Sequence, residues 1–165
     1  MEYPEIAIKA LIDSLDENEE SYKWLTDNQF RELAALSDFL NDDSQTALEF
    51  LIQNKNKYIT IVSFLAALQN EDKAFDLLMK GSDREWAAVV SAVHGDEEAY
   101  QWLIKNNFKV YAELADTLIE NSGKGNSGNI TGIGDGGGGG FSGGGGDFGG
   151  FGGGSFGGAG GGGNW

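Results

Sequence analysis

Two pairs of adjacent carboxylates, Glu19-Glu20 and Glu97-Glu98, come closest to a reactive constellation in this chain. Side-by-side acids can divide acid and base roles or hold Ca²⁺. Both pairs, however, open an apolar helical pattern, where negative side chains favour the positive end of the helix dipole. That placement explains them without chemistry. His94 is the single histidine. It could act as a base or pH switch, but it falls at the end of a predicted helix, where a cation is favourable in any case. One histidine and no cysteine exclude disulfides, thiolate metal sites and most recognisable imidazole sites. No P-loop, EF-hand, nucleophile elbow or Rossmann glycine pattern stands in the context it needs. Gly132-Ile133-Gly134-Asp135 touches a calcium-binding glycine repeat but has no regular successor. The chain therefore reads as non-enzymatic, with no catalytic residue, metal or cofactor implied.

Aromatic residues are the other candidates. Trp24 and Trp102 occupy one repeat position just before a leucine, which favours packing, as does the pattern around Trp86; an exposed aromatic row would instead be a binding surface. Tyr22 and Tyr100, two residues earlier, point elsewhere and are candidate partner contacts. Phe141, Phe148, Phe151, Phe156 and Trp165 punctuate glycine runs. Aromatic stickers on glycine spacers can self-associate or dock multivalently, and a C-terminal tryptophan carboxylate can be captured by a receptor pocket. Unselected low-complexity sequence is the competing explanation.

These residues are set by a repeat. Laid over 97–118 at a shift of 78, residues 19–40 keep 11 identities in 22 positions. The shift is three times 26 and predicts two further copies between. Leu25, Leu51, Leu78 and Leu103 anchor the four units. Eight residues on stand Leu33, Ile59, Trp86 and Tyr111; eleven on, Leu36, Val62, Val89 and Leu114; fifteen on, Leu40, Ala66, Val93 and Leu118. Steps of three and four put these on one helical face. Acid or amide residues precede each first helix, as caps do, and Asn, Asp, Gly and Lys fill the turns. Gly95 suits a left-handed helix end. Ile8, Leu11 and Leu15 repeat the second-helix pattern, so 4–15 reads as an unpaired helix covering the first full unit, with Pro4 near its first turn. The predicted fold is all-α: a solenoid of four two-helix units behind a half-unit, nine helices in all, ending near Asn121.

Composition divides the chain into 1–122, an acidic helical domain, and 123–165, a glycine-rich tail. The tail holds 25 of the 27 glycines. Glycine at this density cannot offset its chain entropy by burial, so the tail is expected to be disordered. Residues 1–122 carry 24 acidic and 10 basic side chains, most of the net charge of −15. Such charge argues against nucleic acid and against anionic membrane surfaces. A basic protein partner fits it, as does solubility alone. The acidic N-terminus lacks a signal-peptide pattern and no long apolar run follows, so the expected location is cytoplasmic.

The array resembles the two-helix repeats of HEAT-like and armadillo-like proteins, although 26 residues is a short unit for them. The tail over about 135–165 is similar to glycine-rich, tryptophan-terminated tails of bacterial proteins, including some with TPM domains. The resemblance implies a helical interaction scaffold and transfers no functional residue.

Overall fold

Short helices need ends, and this sequence supplies them at matching places in successive units. The computed structural model describes residues 3–81 and 83–123. Nine helices lie among them: α1 (Glu5–Leu15), α2 (Glu19–Asp27), α3 (Arg31–Asp42), α4 (Gln45–Gln53), α5 (Ile59–Leu68), α6 (Asp72–Lys80), α7 (Arg84–Val93), α8 (Glu97–Lys105) and α9 (Lys109–Gly123). The tail beyond Gly123, with its candidate residues Phe141, Phe148, Phe151, Phe156 and Trp165, lies outside the described residues.

Asn18 and Asp96 cap α2 and α8 identically, each Oδ1 accepting two backbone N–H groups at 2.9–3.1 Å. Ser44 Oγ accepts from Ala47 N at the start of α4. Glu17, Asn70 and Gly95 hold equivalent left-handed positions, at φ 63°, 65° and 94°, which turn an inner helix into the next outer one. The residue after each donates its N–H five residues back, Asn18 to Asp13, Glu71 to Ala66 and Asp96 to Ser91. This is the helix-end closure that glycine adopts most cheaply.

The odd-numbered helices form an inner layer. α1 packs on α3, α3 on α5, α5 on α7, α7 on α9, and α9 returns to α1. The even-numbered helices lie outside, each against the two inner helices that flank it. The inner layer therefore closes on itself, a curvature that the repeat pattern did not specify. The first helix, expected to stand unpaired, packs against α2 and α3 on one side and α9 on the other. The inner helices run parallel, as shown by side chains at the C-terminal end of one reaching the last carbonyls of a neighbour. Asn41 donates to Ser14 O at 3.0 Å and Asn121 to Leu15 O at 3.3 Å, while His94 Nε2 lies 3.2 Å from Leu68 O.

Apolar side chains from all five inner helices fill the centre. Trp86 is fully buried and packs edge-on against Tyr3, Phe64 and Tyr111, with ring centroids at 5.8, 4.8 and 5.4 Å. Such edge-to-face contacts suit the ring quadrupoles. Tyr3 closes this end of the ring. Burial, then the neighbouring charge and hydrogen bond of Glu32, push its phenol well above the ordinary tyrosine range.

One register differs from the even spacing of the repeat. Ile59 is 55% exposed, whereas Ile61, Phe64 and Leu68 take the buried positions of α5. The turn after α4 is two residues longer than its counterparts, and Lys57 and Tyr58 N–H groups both bond to Asn54 O within it. Because residues 59–68 are apolar almost throughout, their pattern could not reveal which face was inner.

Candidate binding grooves between the helices

Three of the outer helices, α2, α6 and α8, each border a groove beside the C-terminal ends of the two inner helices they bridge. The first, between α1, α2 and α3, has a volume of about 620 Å³ and is lined by Ser14, Glu17, Glu19, Tyr22, Lys23, Asp38, Asn41 and Asp42, among others. The second, between α5, α6 and α7, holds about 480 Å³. The third, between α7, α8 and α9, holds about 270 Å³. They are copies of one structure. A shift of 53 residues carries Tyr22 and Asp38 onto Phe75 and Ser91, and a shift of 78 carries them onto Tyr100 and Asp116.

In the first and third grooves a tyrosine on the outer helix is tied to an aspartate on the following inner helix. Tyr22 Oη donates to Asp38 Oδ2 at 2.9 Å, and Tyr100 Oη donates to Asp116 Oδ2 at 2.9 Å. Partial burial is the first cause that raises the Tyr22 phenol, followed by the Asp38 bond. For Tyr100 the Asp116 bond comes first and desolvation second. Asp38 is also raised: desolvation and the charge of Asp42 outweigh the opposing Tyr22 bond.

Both tyrosines expected as partner contacts are thus half-buried groove walls whose hydroxyls are bonded to aspartates. Tyr22 also borders a fourth depression of about 350 Å³ between α2, α3 and α4, with Arg31, Asp38 and Phe50. The tryptophans divide. Trp86 is core, while Trp24 and Trp102 are half-buried and stack on Phe30 and Phe108 at 5.8 and 5.5 Å. The carboxylate pairs Glu19-Glu20 and Glu97-Glu98 occupy the first turns of α2 and α8. His94 ends α7, and since a carbonyl can only accept, the contact with Leu68 places a proton on Nε2.

Asp38, Asp116, Phe75 and Ser91 are groove residues that residue types alone did not single out. The signal was present in the repeat alignment, where tyrosine and aspartate coincide in two units and are both replaced in the other two. Among the described residues no group of three or more His, Cys, Asp or Glu is placed to hold a metal ion. No described helix is long and apolar enough to cross a membrane. Comparison of the chain with protein-family models, with curated proteins and with solved structures gives no match.

Proposed function

We propose that this chain is a non-enzymatic protein-interaction module of HEAT-like or armadillo-like layout, whose acidic grooves receive a basic protein partner in the cytoplasm. The observation that carries this reading is the threefold recurrence of one groove, bordered by Glu17, Glu19 and Asp42 in the first copy and by Asp96 and Glu97 in the last. Several carboxylates beside one cleft set up a negative field that steers and orients a cationic partner. Concave surfaces between helices are also the usual places for docking.

The test is capture of partners from native lysate by the full chain and by a variant carrying Glu17→Lys, Glu19→Lys and Asp42→Lys. Loss of the captured protein, with an unchanged helical circular-dichroism spectrum, supports the reading. Capture that persists after reversal of every groove overturns it.

A second reading makes the chain a self-assembling structural protein through its tail. Phe141, Phe148, Phe151, Phe156 and Trp165, spaced by glycine, favour it. It requires concentration-dependent association in sedimentation experiments that vanishes on truncation after Ser122. A full chain that stays monomeric at all concentrations removes this reading.

A further inference from the structure

The groove between α5, α6 and α7 departs from its counterparts where they are bridged. Relative to the first groove, Tyr22 becomes Phe75, Lys23 becomes Asp76, Asp38 becomes Ser91 and Asn41 becomes His94. Phenylalanine has no hydroxyl to give, and serine is too short to reach across as aspartate does. The tyrosine–aspartate tie is therefore missing here. Ser91 is only 4% exposed, and its Oγ is buried without a hydrogen-bond partner. In the second unit the corresponding residues are Leu48 and Ala66, which leave no polar group to satisfy. An orphaned buried hydroxyl facing a groove is a cost that a native fold rarely keeps unless something else supplies the bond.

We infer that this groove is a socket for the cationic head of a lysine or arginine side chain of the partner. The ammonium or guanidinium donates to Ser91 Oγ, lies against the half-buried ring of Phe75, and is neutralised by Glu71, Asp72 and Asp76 at the rim. Cation and ring attract through the ring quadrupole. Asp76 is held by Lys80 across an exposed ion pair of 3.1 Å, and such a pair exchanges readily for an incoming cation. The exchange of Lys23 for Asp76 removes the one cation that lines the first groove. A volume of about 480 Å³ accommodates the head group and its aliphatic stem. The inference rests on the protein-interaction reading and names the chemistry of its central contact.

The test uses the full chain, isotope-labelled, titrated with acetyl-Gly-Arg-Gly-amide, with acetyl-Gly-Lys-Gly-amide and with spermidine. A tripeptide is expected to shift the amide resonances of Phe75, Ser91 and His94 saturably, while those of Tyr22 and Asp38 stay in place. Shifts spread evenly over the acidic surface overturn the socket. Spermidine binding about tenfold tighter than either tripeptide reassigns it to a free polyamine and overturns the partner side chain.

The decisive variant is Phe75→Tyr with Ser91→Asp, which rebuilds the tie of the other two grooves. It is expected to weaken tripeptide binding about tenfold although it adds a negative charge; non-specific attraction to an acidic surface would strengthen it. Binding that is unchanged or tighter overturns the inference. Ser91→Ala, the conservative companion if the double variant does not fold, is expected to weaken binding about fivefold, and undiminished binding by it is equally fatal. Tripeptides that fail to bind end the socket and leave the protein-interaction reading standing. Socket binding without any captured partner does the reverse.

Discussion

Asn121, in the last turn of α9, donates a hydrogen bond to the carbonyl of Leu15, at the end of α1, across 106 residues of sequence. Asn41 makes the same reach from the end of α3 to Ser14. The final carbonyls of α1 are thus satisfied from both sides, and the helix that begins the array is also its closing member. In an open solenoid each unit touches only its neighbours and can loosen on its own. Closure couples the two ends.

This coupling is measurable by native-state hydrogen exchange. Leu11→Ala, at a fully buried α1 position, is expected to cost about 2–5 kcal/mol. The accompanying loss of protection should be as large in α9 as in α3. Loss confined to α1–α3 would show that the ring does not act as one cooperative body.

Trp86 is fully buried among three other aromatic rings, and its replacement by alanine should cost about 3–5 kcal/mol in urea unfolding. The cavity would open between elements from the beginning, middle and end of the chain. A cost near 1 kcal/mol would mean that Tyr3, Phe64 and Tyr111 collapse to fill it.

The left-handed positions give a matched pair. Gly95 has a φ of 94° and nothing within 4 Å of an added Cβ, so Gly95→Ala is a test of backbone strain alone. It should destabilise by about 1 kcal/mol. Glu17, at φ 63° in the equivalent position, should gain up to about 1 kcal/mol on replacement by glycine. Chemical denaturation of both variants checks the signs.

The two tyrosine–aspartate ties should each contribute about 1 kcal/mol, read as the coupling energy of a double-mutant cycle such as Tyr22→Phe with Asp38→Asn. Tyr22→Phe should also move the Asp38 carboxyl further up by NMR titration, because the hydrogen bond from Tyr22 is the influence that holds it down.

Alkaline stability follows from the same bonds. The phenols of Tyr22 and Tyr100 are raised in the folded chain, so the neutral form is favoured there more than in the unfolded chain. The stability they supply is complete below about pH 10 and is lost as pH rises through their folded values. The variant carrying Tyr22→Phe and Tyr100→Phe should therefore lose less stability than the wild type above about pH 10 in thermal melts.

The amino-acid sequence by itself determined the helices and their order. Steps of three and four around Leu25, Leu51, Leu78 and Leu103, with acid and amide caps between, leave little choice of secondary structure, since capping and amphipathic spacing are local properties. The same alignment contained the groove pairs, Tyr22 with Asp38 and Tyr100 with Asp116, though not the bonds between them. The two-residue lengthening before α5 was illegible because a nearly all-apolar stretch looks alike in either register, and only burial of Ile61 in place of Ile59 decided it. Ring closure was likewise invisible. Whether helix pairs stack openly or curve until α9 meets α1 depends on small rotations between successive pairs, which accumulate over the whole array and are set by packing between helices. For the same reason only the tertiary structure could show that the groove holding Phe75 leaves the Ser91 hydroxyl without a partner.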